Sequence, residues 1–323
     1  MDLSRDQTAQ RAPIRNVAVI GTGVIGASWC TCFLAHGFKV VATDPAPGAE
    51  QRLREQVGRQ WPDAVAVGAV KGSDPAQLEF CTDAREAAAQ ADFVQENGPE
   101  RLEFKREIFA LLDEAAPAHA ILASSSSGIP ASEFQTACSR PERVLIGHPF
   151  NPPHLIPLVE VVAGRLTSAH AVQTALDFYR AAGRKPIALH KELKGFVTNR
   201  LQAALWREAY GLVHAGVATV EDIDTAIANG PGLRWAIRGP FATQSLSGGE
   251  GGLRHLLEHL GPPMDDYWQD LFPTRLTEEV KRAVLDSAGQ QMGDQDMAAV
   301  ARERDRLLVA LLQLKARKSG QGN

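Results

Sequence analysis

Short apolar runs bounded by turn residues alternate with helix-period patterns through roughly the first 190 residues. The runs Val17–Ile20, Val40–Thr43, Phe93–Glu96, Ile121–Ala123, Val144–Gly147, Leu158–Val162 and Ile187–Leu189 predict strands. Between them apolar residues recur at helical spacing, as in Leu102–Glu114 and Ala169–Ala182. Strand–helix alternation is the mark of βαβ units and a parallel sheet, because parallel neighbours need a crossover. Right-handed crossovers then wind the sheet in one sense.

After about Lys194 the strand pattern stops. "FVTNRLQAALWREAYGLVHAG" carries apolar residues at helical spacing, with Gly216 as its stop. Thr219 ahead of Asp222 forms a variant of the capping box on a helix that ends at Gly230. Leu253, Leu256, Leu257 and Leu260 follow an i, i+3, i+4, i+7 pattern, and the "GPP" after them is expected to end that helix. A last amphipathic pattern with a leucine stripe runs from about Met297 to Leu314. The chain thus reads as α/β, a doubly wound parallel sheet over 16–193, followed by an all-helical domain over 194–323. Residues 1–15 read as a loose N-terminal tail, and no internal repeat or low-complexity stretch is visible. The apolar stripes of the helical domain are expected to continue across a homodimer interface; a purely intramolecular core is the alternative.

A chain of 323 residues with 44% hydrophobic and 22% charged residues has the composition of a soluble globular protein with a sizeable core. Its net charge of -4 gives no reason to expect nucleic acid as a partner. No apolar stretch approaches the roughly 18 residues of a membrane span. The opening "MDLSRDQTAQRAPIR" has no apolar core of a signal peptide. Cys30, Cys32, Cys81 and Cys138 form no disulfide framework, and one Cys-x-Cys pair supplies no zinc ligand set. They read as reduced thiols of a cytoplasmic protein that holds no metal.

Within this frame "NVAVIGTGVIGASW" acquires a meaning. Gly21, Gly23 and Gly26 follow an apolar strand and open an apolar helix. The first glycine permits a tight turn, the second lets backbone approach a pyrophosphate, and the third lets the helix pack on the strand. Unpaired N–H groups and the positive dipole end of the helix then favour the phosphates. Asp44, about 20 residues on at the next strand end, would accept the ribose hydroxyls and repel a 2′-phosphate. The combination predicts a Rossmann-type domain that binds NAD rather than NADP; a bare glycine turn and an FAD cradle are the alternatives.

Oxidation of a secondary alcohol by hydride transfer needs a base for the hydroxyl proton and donors for the developing oxyanion. His148 stands at a strand end, and Glu160 interrupts an otherwise apolar strand. A carboxylate buried there is costly unless paired, and His148 is the natural partner. Such a pair would orient the imidazole and stabilise its protonated form.

With these residues in place the chain resembles the L-3-hydroxyacyl-CoA dehydrogenase superfamily from Asn16 to about Pro262. The resemblance rests on "GTGVIG", "ENGPERLEFK", "SSSSG", "GHPFNPP", "LVEVV", "GFVTNR" and "GPF", in family order and near family spacing. It implies His148 as general base and Glu160 as its carboxylate partner. Ser127, 21 residues before His148, is implied to bind the substrate oxygen. Asn199 is implied as an active-site hydrogen-bond donor. For the cofactor it implies Glu100 and Lys105 near the ribose and nicotinamide side, with Asn151 close by. A polar turn at Ser124–Ser127 and a helix cap at Asn199 are the plainer alternatives.

Some features depart from the acyl-CoA enzymes. "SSSSG" replaces their serine–asparagine–threonine–serine–serine run, and "GPGLRWAIRGPF" and "GGEGGLRHLLEHLGPP" follow in the helical domain. These traits are similar to the branch that holds L-carnitine and L-gulonate dehydrogenases, which implies a small free L-3-hydroxy acid as substrate. Arg234 and Arg238 could hold a free carboxylate and Trp235 a quaternary ammonium; a solvated helix face and a core tryptophan are the alternatives. His255 reads as a surface histidine on an amphipathic helix. A CoA thioester substrate and a non-enzymatic, crystallin-like or cofactor-sensing role remain the competing readings. A fold-related class that uses a lysine as its acid/base group would draw on Lys191 or Lys194, but the His148–Glu160 pair argues against it.

Overall fold

The computed structural model describes residues 14–293 and 295–319. Most of the expected tail, residues 1–13, lies outside the described residues. The chain then runs β1 (Asn16–Ile20), α1 (Val24–Ala35), β2 (Lys39–Thr43), α2 (Ala49–Gly68), β3 (Leu78–Cys81), α3 (Ala84–Ala88) and β4 (Phe93–Glu96). It continues through α4 (Leu102–Ala115), β5 (Ile121–Ser124), α5 (Ala131–Phe134), β6 (Val144–Pro149), β7 (Leu158–Ala163), α6 (Ala169–Ala181) and β8 (Lys185–Leu189). All eight strands form one sheet in the order β3-β2-β1-β4-β5-β6-β7-β8.

Alternation along β1 shows how the layers form. Val17 and Val19 pack with Trp29 and Phe33 of α1 and with Phe178 and Tyr179 of α6. Ala18 and Ile20 point the other way, into a core with Phe109 and Leu112 of α4 and Phe134 of α5. Both faces are covered, as a parallel sheet requires. Helix α1 is buried from Gly26 through Ala35 because α2 covers the side that the sheet does not. Trp29 stacks on Phe33 at 4.9 Å, and Phe93 stacks on Phe178 at 4.0 Å. Truncating one such ring typically costs about 3–5 kcal/mol.

Two differences from the sequence reading have simple causes. The sheet is parallel except between β6 and β7, which are antiparallel. Their link, Phe150–Pro157, holds eight residues, too few for the crossover of about a dozen that a parallel return needs. The strand β3 has no counterpart among the predicted strands. It is four residues at the sheet edge with Leu78 alone buried, so its apolar signal is weak.

Register aligns the carboxyl ends of the central strands. Ile20 pairs with Glu96, Glu96 with Ser124, and Ser124 with Ile146. Strand order reverses between β1 and β4, and an open α/β sheet binds ligands in the crevice at that point.

The chain divides into two compact units, the first ending at Val197 and taking in Asp305–Leu314. The second unit is helical: α7 (Thr198–His214), α8 (Val220–Asn229), α9 (Pro231–Ile237), α10 (Pro240–Ser247), α11 (Gly252–Asp270), α12 (Glu278–Met292) and part of α13 (Met297–Ser319). Gly216, at φ +69°, follows the last turn of α7, and Thr219 and Asp222 form the reciprocal capping box of α8. The expected stop at "GPP" is corrected: α11 continues through Pro262 and Pro263. The carbonyls that lose an N–H partner belong to Glu258 and His259, both exposed, so the missing donors leave no buried acceptor unsatisfied. No helix among the described residues is long and apolar enough to cross a membrane.

Candidate active site

Immediately after β1 the chain turns at Gly21, whose φ of +85° lies in the left-handed region and whose N–H donates to the Thr43 carbonyl at 2.8 Å. A Cβ on Gly26 would overlap the Gly21 carbonyl oxygen, so helix and turn can pack this closely only with glycine there. A Cβ on Gly23 would meet nothing within 4 Å. Gly26 therefore serves packing, whereas Gly23 leaves the backbone open to a ligand. Gly23 caps α1 without a side-chain hydrogen bond, so the first N–H groups of the helix are available to an anion. The loop fits a dinucleotide pyrophosphate.

Asp44 follows β2. Its Oδ2 accepts from Thr22 N at 2.8 Å and Thr22 Oγ1 at 3.1 Å, and its Oδ1 accepts from Ala46 N at 2.9 Å. The carboxylate thus clasps the glycine loop and keeps lone pairs for hydroxyls, since an ionised carboxyl offers about four acceptor sites.

Glu100 and Ser127 meet at the turn after β5. Glu100 Oε1 accepts from Ser126 Oγ at 2.6 Å, Gly128 N at 2.7 Å, Ser127 N at 3.1 Å and Ile129 N at 3.2 Å. Burial alone would raise the Glu100 pKa; the hydrogen bonds from Ser126, Gly128 and Ile129 together with the Lys105 charge outweigh it and hold the carboxyl below its ordinary range. The side chain of Ser127 is left exposed on a backbone that Glu100 fixes. Lys105 turns inward instead: its Nζ donates to Glu96 at 2.9 and 2.8 Å and to the Gly98 carbonyl at 3.2 Å. Both Lys105 and Glu96 are buried, at 1% and 0% side-chain exposure. An ammonium has three protons, and all three are engaged there. Glu96 also accepts from Ser124 Oγ at 2.7 Å and Gly98 N at 2.5 Å, which binds the ends of β4 and β5 to the loop that follows.

His148 and Glu160 are direct cross-strand partners in the antiparallel β6–β7 ladder. His148 Nδ1 lies 2.8 Å from Glu160 Oε2, with 7% and 0% of the two side chains exposed. Glu160 Oε1 accepts from Val197 N at 3.0 Å. A carboxylate that accepts on one oxygen takes the Nδ1 proton on the other, which leaves Nε2 of the neutral ring as the acceptor. Phe150 meets the imidazole edge-on at 5.0 Å, and Phe196 lies against it at 5.5 Å. The arrangement can hold a ring with one free basic nitrogen in an apolar setting.

Behind the crevice a buried polar web ties α1 to these strands. Ser125 Oγ accepts from Trp29 Nε1 at 3.2 Å and Gln95 Nε2 at 2.8 Å and donates to Asn97 Oδ1 at 2.7 Å. Tyr179 donates to Gln95 Oε1 at 2.6 Å. The loop after His148 is anchored to the same helix: His154 N donates to Ser28 Oγ at 2.9 Å. Asn151 is exposed in that loop, before the cis peptide bond to Pro152.

Gly21, Gly23, Gly26 and Asp44 converge on one loop, Glu100 on Ser127, and Glu160 on His148. The register puts these groups at neighbouring strand ends. Asn199 lies in the first turn of α7, in the second unit. Within that unit Arg234, Ile237, Arg238, Thr243, Leu246 and Ser247 line one cavity of about 340 Å³. Sequence reasoning did not single out Glu96 or Val197. The "QENGPE" run gave a signal for Glu96, a carboxylate closing an apolar strand, whereas a backbone N–H leaves none.

Residues 16–193 match the 3-hydroxyacyl-CoA dehydrogenase NAD binding domain, and residues 195–296 match the C-terminal domain of the same family. The L-carnitine dehydrogenase of Streptomyces coelicolor is 46% identical over 304 residues, covering 94% of this chain and 96% of that protein. A protein of Gibberella moniliformis named 3-hydroxyacyl-CoA dehydrogenase is also 46% identical, over 307 residues, covering 94% of this chain and 95% of its own. Among solved structures, 5-formyl-3-hydroxy-2-methylpyridine 4-carboxylic acid 5-dehydrogenase, an NAD+-dependent dismutase, superposes with a TM-score of 0.83 at 31% identity, covering 94% of this chain and 99% of that one. With its glycine cradle and both domains of one family, this chain belongs to the 3-hydroxyacyl-CoA dehydrogenase family and is an NAD-dependent oxidoreductase.

Proposed function

We propose that this chain oxidises a small free L-3-hydroxy acid, L-carnitine-like or L-gulonate-like, to the 3-oxo acid with NAD. The observation that carries the reading is the buried His148–Glu160 pair at the carboxyl end of the sheet. Residues 16–193 hold the cofactor, and residues 194–323 supply the substrate and dimer surfaces. The loop of Gly21, Gly23 and Gly26 receives the pyrophosphate, with Gly26 serving it by close packing on the Gly21 turn, and Asp44 takes the ribose hydroxyls. Glu100 acts by fixing the Ser127 turn, Lys105 acts at one remove through Glu96 and Gly98, and Asn151 borders the cofactor. NAD, when bound, supplies the hydride acceptor.

His148 Nε2 takes the hydroxyl proton, since Nδ1 is committed to Glu160. The imidazolium that forms is stabilised by the Glu160 charge. Ser127 and Asn199 hold the substrate oxygen. A carboxylate is supported by the names of two relatives, L-carnitine dehydrogenase and a pyridine carboxylic acid dehydrogenase. The shared cavity of Arg234 and Arg238 supports it as well, because paired guanidiniums suit a carboxylate. The Gibberella relative supports the second reading, a CoA thioester turned over by the same residues.

Large exposed apolar side chains in the helical unit, Trp206, Phe241, Leu246 and Trp268 among them, support a homodimer through that unit. The four unpaired thiols support the cytoplasm as its compartment.

Replacing the base tests the chemistry. His148→Ala is expected to lower turnover by about 10³-fold or more while NADH binding, read by fluorescence, stays within about twofold. A purified His148→Ala protein with wild-type rates would end the assignment.

A further inference from the structure

We infer that the Gly195–Phe196–Val197 turn is a positioning element for the His148–Glu160 pair, an inference that rests on the base assignment proposed above. Phe196 has a φ of +49° and follows Gly195 at +77°. The left-handed region suits glycine, but a bulky aromatic residue rarely takes it, and such an outlier persists only where its surroundings enforce it.

Three contacts enforce it here. Phe196 N donates to the Leu193 carbonyl at 2.9 Å and closes the turn. Phe196 is 2% exposed, and its ring lies 5.5 Å from the His148 ring, inclined at 53°. The next amide, Val197 N, donates to Glu160 Oε1 at 3.0 Å. Consecutive residues thus serve the two members of one pair, the ring covering the imidazole and the amide holding the carboxylate. An extended or right-handed backbone at position 196 would turn the ring and the Val197 amide in different directions, and one of the two contacts would be lost.

The chemistry follows from the second contact. A carboxylate held by an amide on Oε1 cannot swing, so Oε2 stays on Nδ1 and Nε2 stays free for the substrate proton. Phe196 also lines a cavity of about 350 Å³ with Ile187, Leu189 and Leu193. Removing the ring would join that space to the imidazole and admit water to it. Phe196 and Val197 need not touch substrate; they act through His148.

The experiment uses the full chain and four proteins: Phe196→Gly, Phe196→Leu, His148→Ala and the Phe196→Gly/His148→Ala double variant. Glycine keeps the left-handed backbone and removes the ring, whereas leucine keeps apolar bulk. Phe196→Gly is expected to lower kcat about 10- to 100-fold, the scale of a slight misplacement of a reacting group. Its Kd for NADH should stay within about twofold of wild type. Phe196→Leu should restore most of the loss. In the His148→Ala background Phe196→Gly should change the residual rate no further, because a residue that acts through the base has nothing left to act on. Wild-type kcat in Phe196→Gly, or an equal loss in the His148→Ala background, overturns the inference. Should Phe196→Gly fail to fold, Phe196→Asn takes its place, since asparagine tolerates this conformation. Wild-type turnover in His148→Ala overturns the base assignment instead, so the two failures read apart.

Discussion

His148 and Glu160 face each other across the only antiparallel pair of a sheet whose other pairs, among the described residues, are parallel, with Nδ1 2.8 Å from Oε2. This geometry makes the isosteric change Glu160→Gln informative. The glutamine oxygen can still accept from Val197 N, which turns its NH2 toward Nδ1 and forces the imidazole proton onto Nε2. A ring in that tautomer cannot take a proton there. We expect kcat to fall by about 10²–10⁴-fold with NADH affinity nearly unchanged. Stopped-flow NADH formation checks this, and a loss under about threefold would contradict it.

The glycine loop separates packing from binding. Gly26→Ala places a Cβ on the Gly21 carbonyl oxygen and is expected to lower the thermal midpoint by several degrees. Gly23→Ala meets open space in the protein, so the midpoint should hold while the Kd for NAD rises about 10-fold or more. Calorimetry and titration of the same preparations measure both.

Cofactor choice rests on Asp44. Asp44→Ala removes the ribose acceptor and the clasp on Thr22, so kcat/KM with NAD should drop about 10-fold or more. The preference for NAD over NADP should narrow in parallel, because the charge that repels a 2′-phosphate has gone. An unchanged ratio would count against this role.

Acid stability has a separate source in Asp113. Its Oδ1 accepts from Arg143 Nη2 at 2.8 Å and Nε at 3.0 Å, and Oδ2 accepts from Ser139 N at 2.7 Å. Burial raises its pKa, but the Arg143 guanidinium and the amides of Arg140 and Ser139 outweigh that and hold it below its ordinary value of 3.8. A depressed carboxylate stabilises the fold fully above its unfolded pKa and loses that contribution as pH falls through the lower folded value. Stability should therefore decline below about pH 4 in wild type. Asp113→Asn, which leaves the buried Arg143 with carbonyl partners but without its counter-charge, should cost about 3–5 kcal/mol at neutral pH and flatten that decline. Urea melts at several pH values measure both effects.

Much of this site was legible in the sequence because its residues break local patterns. The glycines interrupt an apolar run, Asp44 closes a strand, and Glu160 is a lone charge among valines. Other features were silent because they depend on three-dimensional closure. Lys105 and Glu96 stand nine positions apart in sequence and meet only after α4 folds back on β4. The Val197 amide that holds Glu160 belongs to the backbone, which has no letter of its own. Strand β3 was missed because an edge strand with one buried side chain looks like loop, and the prolines of α11 hid a helix that continues because the carbonyls they leave unpaired are exposed.

Substrate class separates a free hydroxy acid from a CoA thioester most directly. The direct measurement is kcat/KM for NADH formation at 340 nm with L-carnitine, L-gulonate, 3-hydroxybutyrate and 3-hydroxybutyryl-CoA in parallel. One of the free hydroxy acids is expected to exceed the thioester by at least about 10-fold. A higher kcat/KM for 3-hydroxybutyryl-CoA than for every free acid would contradict the proposal.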